Sequence, residues 1–135
     1  MAFTGSGERF GSTVEDVPHL HHVNLGVPTG GIDAQTSFLV DVLGFRHVEP
    51  NPELVGRAHW FDDDAGVQVH LSADPEHRPA ARAHVALSID DLETLEKKLN
   101  AASVEFTSSE FDGLRILFCQ DPAGNRWELR GALVS

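Results

Sequence analysis

Polar and apolar residues alternate through HVNLGV at 22–27, setting Val23, Leu25 and Val27 on one face and His22, Asn24 and Gly26 on the other. That two-residue period predicts a half-buried strand. Pro28-Thr29-Gly30-Gly31 interrupts it. Asp33 then reads as the N-cap of a helix whose Phe38, Leu39, Val42 and Leu43 recur at helical spacing, with Gly44 placed to stop it. Short strands are predicted at 45–48, 57–61 and 67–72, the last two joined by Asp62-Asp63-Asp64-Ala65-Gly66, and Asp74-Pro75 closes the unit. The same order then repeats. AHVALSI at 83–89 alternates, Asp90 or Asp91 caps a helix with Leu92, Leu95 and Leu99 as its buried stripe, and strands follow at 104–107, 114–119 and 125–130. The pattern is βαβββ twice over, module 1 at about 19–75 and module 2 at about 82–131, within one domain spanning 19–135. An internal repeat of this kind places equivalent positions of its halves around a pseudo-twofold axis. Residues 1–18, rich in Gly, Ser and Thr, read as an N-terminal arm.

Composition narrows the partners. The 135 residues carry 21 acids against 10 Lys and Arg, a formal charge of −11. Such a chain repels phosphate backbones and anionic lipid, so neither nucleic acid nor a membrane surface is an expected partner; a small molecule is. Residues 76–135, with 10 acids and 7 bases, are nearly balanced and leave room for a locally basic pocket. Cys119 stands alone, which excludes an intrachain disulfide. No window holds the ~20 apolar residues of a membrane span. The N-terminus lacks the basic start and apolar core of a secretory signal, so the expected address is the cytoplasm.

Eight histidines are the compositional feature with most chemical content. In the first strand of each module a His stands opposite the apolar face, His22 and His84; in the fourth, His70 and Glu128 do the same. Equivalent positions lie 62 and 58 residues apart, and the spacings inside the modules are 48 and 44. Three imidazoles and one carboxylate at equivalent places suit a divalent transition ion: Zn, Ni, Co, Mn and Fe are all admissible. The ligand charge of −1 leaves such an ion able to polarise a bound oxygen.

The chain here resembles the vicinal oxygen chelate superfamily, which includes glyoxalase I, methylmalonyl-CoA epimerase, extradiol dioxygenases, fosfomycin-resistance enzymes and bleomycin-resistance proteins. HHVNLGV, FLVDVLGF, VQVHLS, AHVALSIDDL and DPAGNRWEL carry the resemblance over about residues 19–131. It implies an α+β fold in which two βαβββ modules form a curled mixed sheet around a metal cleft, and a homodimer. It also implies one divalent metal ion per cleft, held by His22, His70, His84 and Glu128. Glu128 is then the one carboxylate among the ligands and the candidate catalytic base. The expected activity is a glyoxalase-like lyase or isomerase reaction on a small substrate that chelates the metal through vicinal oxygens. Two alternatives stand beside it: a drug- or metabolite-binding protein of the bleomycin-resistance type, and extradiol-type dioxygenase chemistry, for which His22, His84 and Glu128 supply two His and a carboxylate.

Other residues receive plainer readings. Arg82, Arg126 and Arg130 share strand faces with His84 or Glu128 and, with Asn24, are candidate substrate-binding residues; a guanidinium there could take a carboxylate bidentately. His21 falls on the apolar face and reads as a partly buried His, while His19, His47, His59 and His77 read as surface or strand-edge residues. Trp60, Trp127, Phe38 and Phe118 are expected in the core, and Cys119 is expected to be buried and inert. Asp62–Asp64 lack calcium-loop spacing and read as a solvated turn.

Overall fold

A computed structural model describes residues 17–133. Residues 1–16 of the expected arm lie outside the described residues. Strands β1 (His22–Val27), β2 (Arg46–Val48), β3 (His59–Asp62) and β4 (Gln68–Ala73) form one sheet in the order β1-β4-β3-β2. Strands β5 (His84–Ser88), β6 (Phe106–Phe111), β7 (Leu114–Gln120) and β8 (Arg126–Ala132) form a second, ordered β5-β8-β7-β6. In both, the first strand runs parallel to the fourth and the remaining pairs are antiparallel. The fold is α+β, built of two open four-stranded mixed sheets, as the repeat implied.

Helix α1 (Ile32–Ser37) starts one residue before Asp33, the predicted cap. Gly31 precedes it, and Asp33 sits in the first turn, where its charge suits the helix N-terminus. The predicted helix then widens into a π-turned stretch, Phe38–Val42, in which Leu43 N–H reaches Phe38 O at 3.1 Å. The extra residue per turn brings Phe38, Leu39 and Val42 together into the interior. Gly44 ends the segment at φ +86°, the left-handed conformation that a residue with a side chain resists. Helix α2 (Leu92–Ala101) is capped by Asp91, whose carboxylate accepts from Thr94 N–H at 3.0 Å, and it buries Leu92, Leu95 and Leu99.

The two halves share one core. Val27, Val69, Leu71 and Phe61 from the first sheet and Leu117, Leu129 and Trp127 from the second are buried together with both helical segments. Phe38 and Phe45 approach the Trp127 ring at 6.2 and 6.5 Å. Polar contacts join the halves as well. Asn125 Nδ2 donates to Gly26 O at 2.9 Å, His77 Nε2 donates to Ala123 O at 2.9 Å, and Gln35 donates to the buried Asp121. Each sheet therefore turns its apolar face inward and leaves the opposite face open.

Several expectations require correction. Strand β6 begins at Phe106, not 104, and runs on to Phe111, where Asp112 (φ +54°) and Gly113 (φ +79°) make a two-residue turn into β7. Thr107-Ser108-Ser109-Glu110 is polar on both faces because β6 is an exposed edge, so alternation could not reveal it. His21 precedes β1 and is exposed, so strand parity does not bury it. Trp60 and Phe118 are half-buried on the open faces instead of in the core.

Candidate metal and substrate site

The open face of the first sheet carries His22 and Asn24 from β1 and Gln68, His70 and Ser72 from β4. The parallel register sets His22 beside Gln68 and Asn24 beside His70. The imidazoles of His22 and His70 stack with centroids 3.9 Å apart and planes 14° from parallel, and Trp60 of β3 stacks on the other side of His70 at 5.1 Å. His22 Nδ1 also lies 2.9 Å from His21 Nδ1, and His70 Nε2 lies 2.8 Å from Gln68 Oε1. Partial burial, and then the neighbouring His22 and His21, lower the His70 pKa, which keeps its ring neutral and available as a ligand. Asn24 accepts from Ser72 Oγ at 3.1 Å on the same face.

On the second open face, β5 and β8 bring His84 and Glu128 together, with Nε2 to Oε1 at 3.1 Å. Arg82 precedes β5, and its carbonyl accepts from His84 Nδ1–H at 2.9 Å. That bond fixes the tautomer and aims the Nε2 lone pair at the carboxylate. A lone pair and a carboxylate oxygen facing each other need a cation between them, either a proton or a metal. Ligands about 2.1 Å from a metal stand about 3 Å apart, so the observed spacing fits a divalent ion. Arg130 Nη1 holds the other oxygen, Glu128 Oε2, at 3.2 Å. Arg126, in register with His84, lays its guanidinium over the Phe118 ring at 4.2 Å, and the His84 ring meets Phe118 edge-on at 5.4 Å.

The four candidate ligands thus form two pairs on two faces of one chain. Among the described residues, no group of three or more His, Cys, Asp or Glu is placed to hold a metal. Sequence reasoning missed Gln68, which shares the strand face of His70 two residues away and was detectable by parity alone. It also assigned Trp60 and Phe118 to the core because aromatic residues default to the interior, although both alternate with the buried Phe61, Leu117 and Cys119. Arg82 takes part through its carbonyl rather than its guanidinium.

The described residues contain no helix long and apolar enough to cross a membrane. A putative glyoxalase family protein from Bacillus anthracis is similar in structure, with a TM-score of 0.76 and 22% identity over 87% of this chain and 97% of that one. A glyoxalase/dioxygenase from Nostoc punctiforme matches with a TM-score of 0.76 and 21% identity over 95% of this chain and 100% of the other. The fosfomycin resistance protein FosX from Listeria monocytogenes, in a structure complexed with Mn(II) and sulfate, matches with a TM-score of 0.69 and 16% identity, covering 87% and 93%. No curated protein matches. The model of the Glyoxalase/Bleomycin resistance protein/Dioxygenase superfamily matches residues 19–129, and the chain belongs to that superfamily.

Proposed function

We propose that this protein is a homodimeric, metal-dependent enzyme of the glyoxalase type, a lyase or isomerase whose small substrate chelates the metal through vicinal oxygens. The observation that carries the reading is the His84–Glu128 pair, with one imidazole nitrogen fixed on a carbonyl and the other facing a carboxylate oxygen at 3.1 Å. His22 and His70 would complete the ligand set from a second copy, since among the described residues one chain does not bring the two pairs together. A bound divalent ion supplies Lewis-acid stabilisation of a developing oxyanion. Glu128 is the one carboxylate among the candidate ligands and so the candidate proton carrier; Arg130 holds its Oε2, and Oε1 would take a proton only on leaving the metal. Asn24, fixed by Ser72, would orient the substrate from the His22 side.

The test is metal content of the purified, reconstituted protein beside His84→Ala and Glu128→Ala. The reading expects about one metal per cleft in the parent and near-complete loss in both variants. Equal, near-zero metal in all three would overturn it. A second reading, a non-enzymatic protein that binds a drug or metabolite, is favoured by the half-buried Trp60 beside His70 on the open face, an aromatic contact that needs no metal. It expects ligand affinity that survives treatment with a chelator.

A further inference from the structure

The three arginines that share strand faces with the ligands are not equivalent. Arg130 is committed to Glu128, and Arg82 contributes its carbonyl ahead of β5. Arg126 has no carboxylate within ion-pair distance among the described residues, although the chain carries 21 acids against 10 Lys and Arg. Its guanidinium rests on Phe118 and lines a cavity of about 690 Å³ whose wall also includes Ala81, Thr107 and Gln120. Two carboxylates border this cavity. Asp121 is buried and already accepts from Gln35, Trp127 and the N–H groups of Ala123 and Asn125, while Glu105 lies on the rim without an ion pair to Arg126. A half-buried, unpaired guanidinium above an aromatic ring, with Thr107 and Gln120 beside it, is a receptor for an anion attached to an apolar or planar skeleton.

We propose that Arg126 and Phe118 select substrates carrying a carboxylate on a short planar or apolar skeleton. The proposal rests on the metal reading above for the other end of the substrate. Arg126 faces His84 across one strand spacing and stands two residues from Glu128 on the same face of β8. Those positions put the guanidinium on the same open face as the His84–Glu128 pair. Phe118, opposite Glu128 in the β7–β8 register, underlies the carbons between them.

Catechol and 3,4-dihydroxybenzoate are a probe pair that share a vicinal oxygen pair and differ only in a carboxylate on the far side of the ring. Calorimetric titration of the Mn(II)-loaded protein should show the carboxylate compound binding about tenfold tighter. Arg126→Gln should abolish that preference and leave catechol affinity within about twofold, with Arg126→Lys retaining part of it. Equal affinity of the parent for both probes, or equal weakening of both by Arg126→Gln, overturns the proposal while leaving the metal reading intact. If the protein retains no metal, the metal reading fails separately, and benzoate titrated into metal-free parent and Arg126→Gln decides the subsite: Arg126-dependent binding supports it, and its absence overturns it. Melting curves of both variants establish that they are folded.

Discussion

Cys119 shows how one residue's chemistry follows from its surroundings. Burial, and then the nearby Asp121 carboxylate, push its thiol up to about 11, so at neutral pH it is protonated and shielded. At pH 8 the folded protein should react with iodoacetamide at least about a hundredfold more slowly than the same protein in urea, followed by mass spectrometry. Comparable rates in the two states would show the strand packing to be wrong. The burial of this residue was legible from its place at the end of a strand. The partners of Asp121 were not. A turn Asp reads from sequence as a local cap, and its bonds to Ala123 N–H and Asn125 N–H are of that kind. Its acceptance of Gln35, 86 positions away, depends on how α1 crosses the second half. No local pattern reports that contact. Among the described residues the fully buried Gln35 keeps its amide oxygen, Oε1, without a partner, the cost of placing an amide there.

Elements were readable wherever one face is buried and the other wet. Strands β1, β4, β5 and β8 and helix α2 meet that condition, and they position all four candidate ligands. The edge strand β6 does not, because solvent on both faces erases alternation; the continuation of α1 reads as helix from its buried stripe, and only its wider π turn leaves no mark in the pattern. Packing between elements leaves sharper traces in glycine. A Cβ on Gly131 of β8 would lie 2.8 Å from Ile89 O and 3.2 Å from Leu92 Cβ, where the strand runs close beneath the start of α2. Gly131→Ala should destabilise the protein by about 1–3 kcal/mol in urea unfolding, since backbone must move to admit one methyl. Gly56, at φ +85° with open space around it, serves as the contrast. Alanine there costs only the left-handed conformation, about 1 kcal/mol.

For the whole molecule, the repeat correctly announced two similar sheets, and strand parity correctly placed His22, His70, His84 and Glu128 opposite the apolar faces. It did not announce that one chain holds these as two pairs. That outcome depends on how the modules pack, which Trp127, His77 and Asn125 determine through contacts spanning the halves. The composite-site proposal makes a direct prediction. A double variant His22→Ala/His70→Ala and a double variant His84→Ala/Glu128→Ala should each lack metal. Subunit exchange at equal amounts should restore about one metal per four chains, because half of the dimers then combine two intact pairs in one site. No recovery after confirmed exchange would place the complete site within a single chain.

The division of the candidate ligands into two pairs within one chain has a further consequence for a site assembled in this way. Metal retention becomes a second-order property, dependent on chain concentration as well as on ligand chemistry. Dilution would release metal as effectively as a competing chelator, and an excess of metal would in turn hold dilute subunits together. The abundance of the protein would then set how much of it is assembled for catalysis.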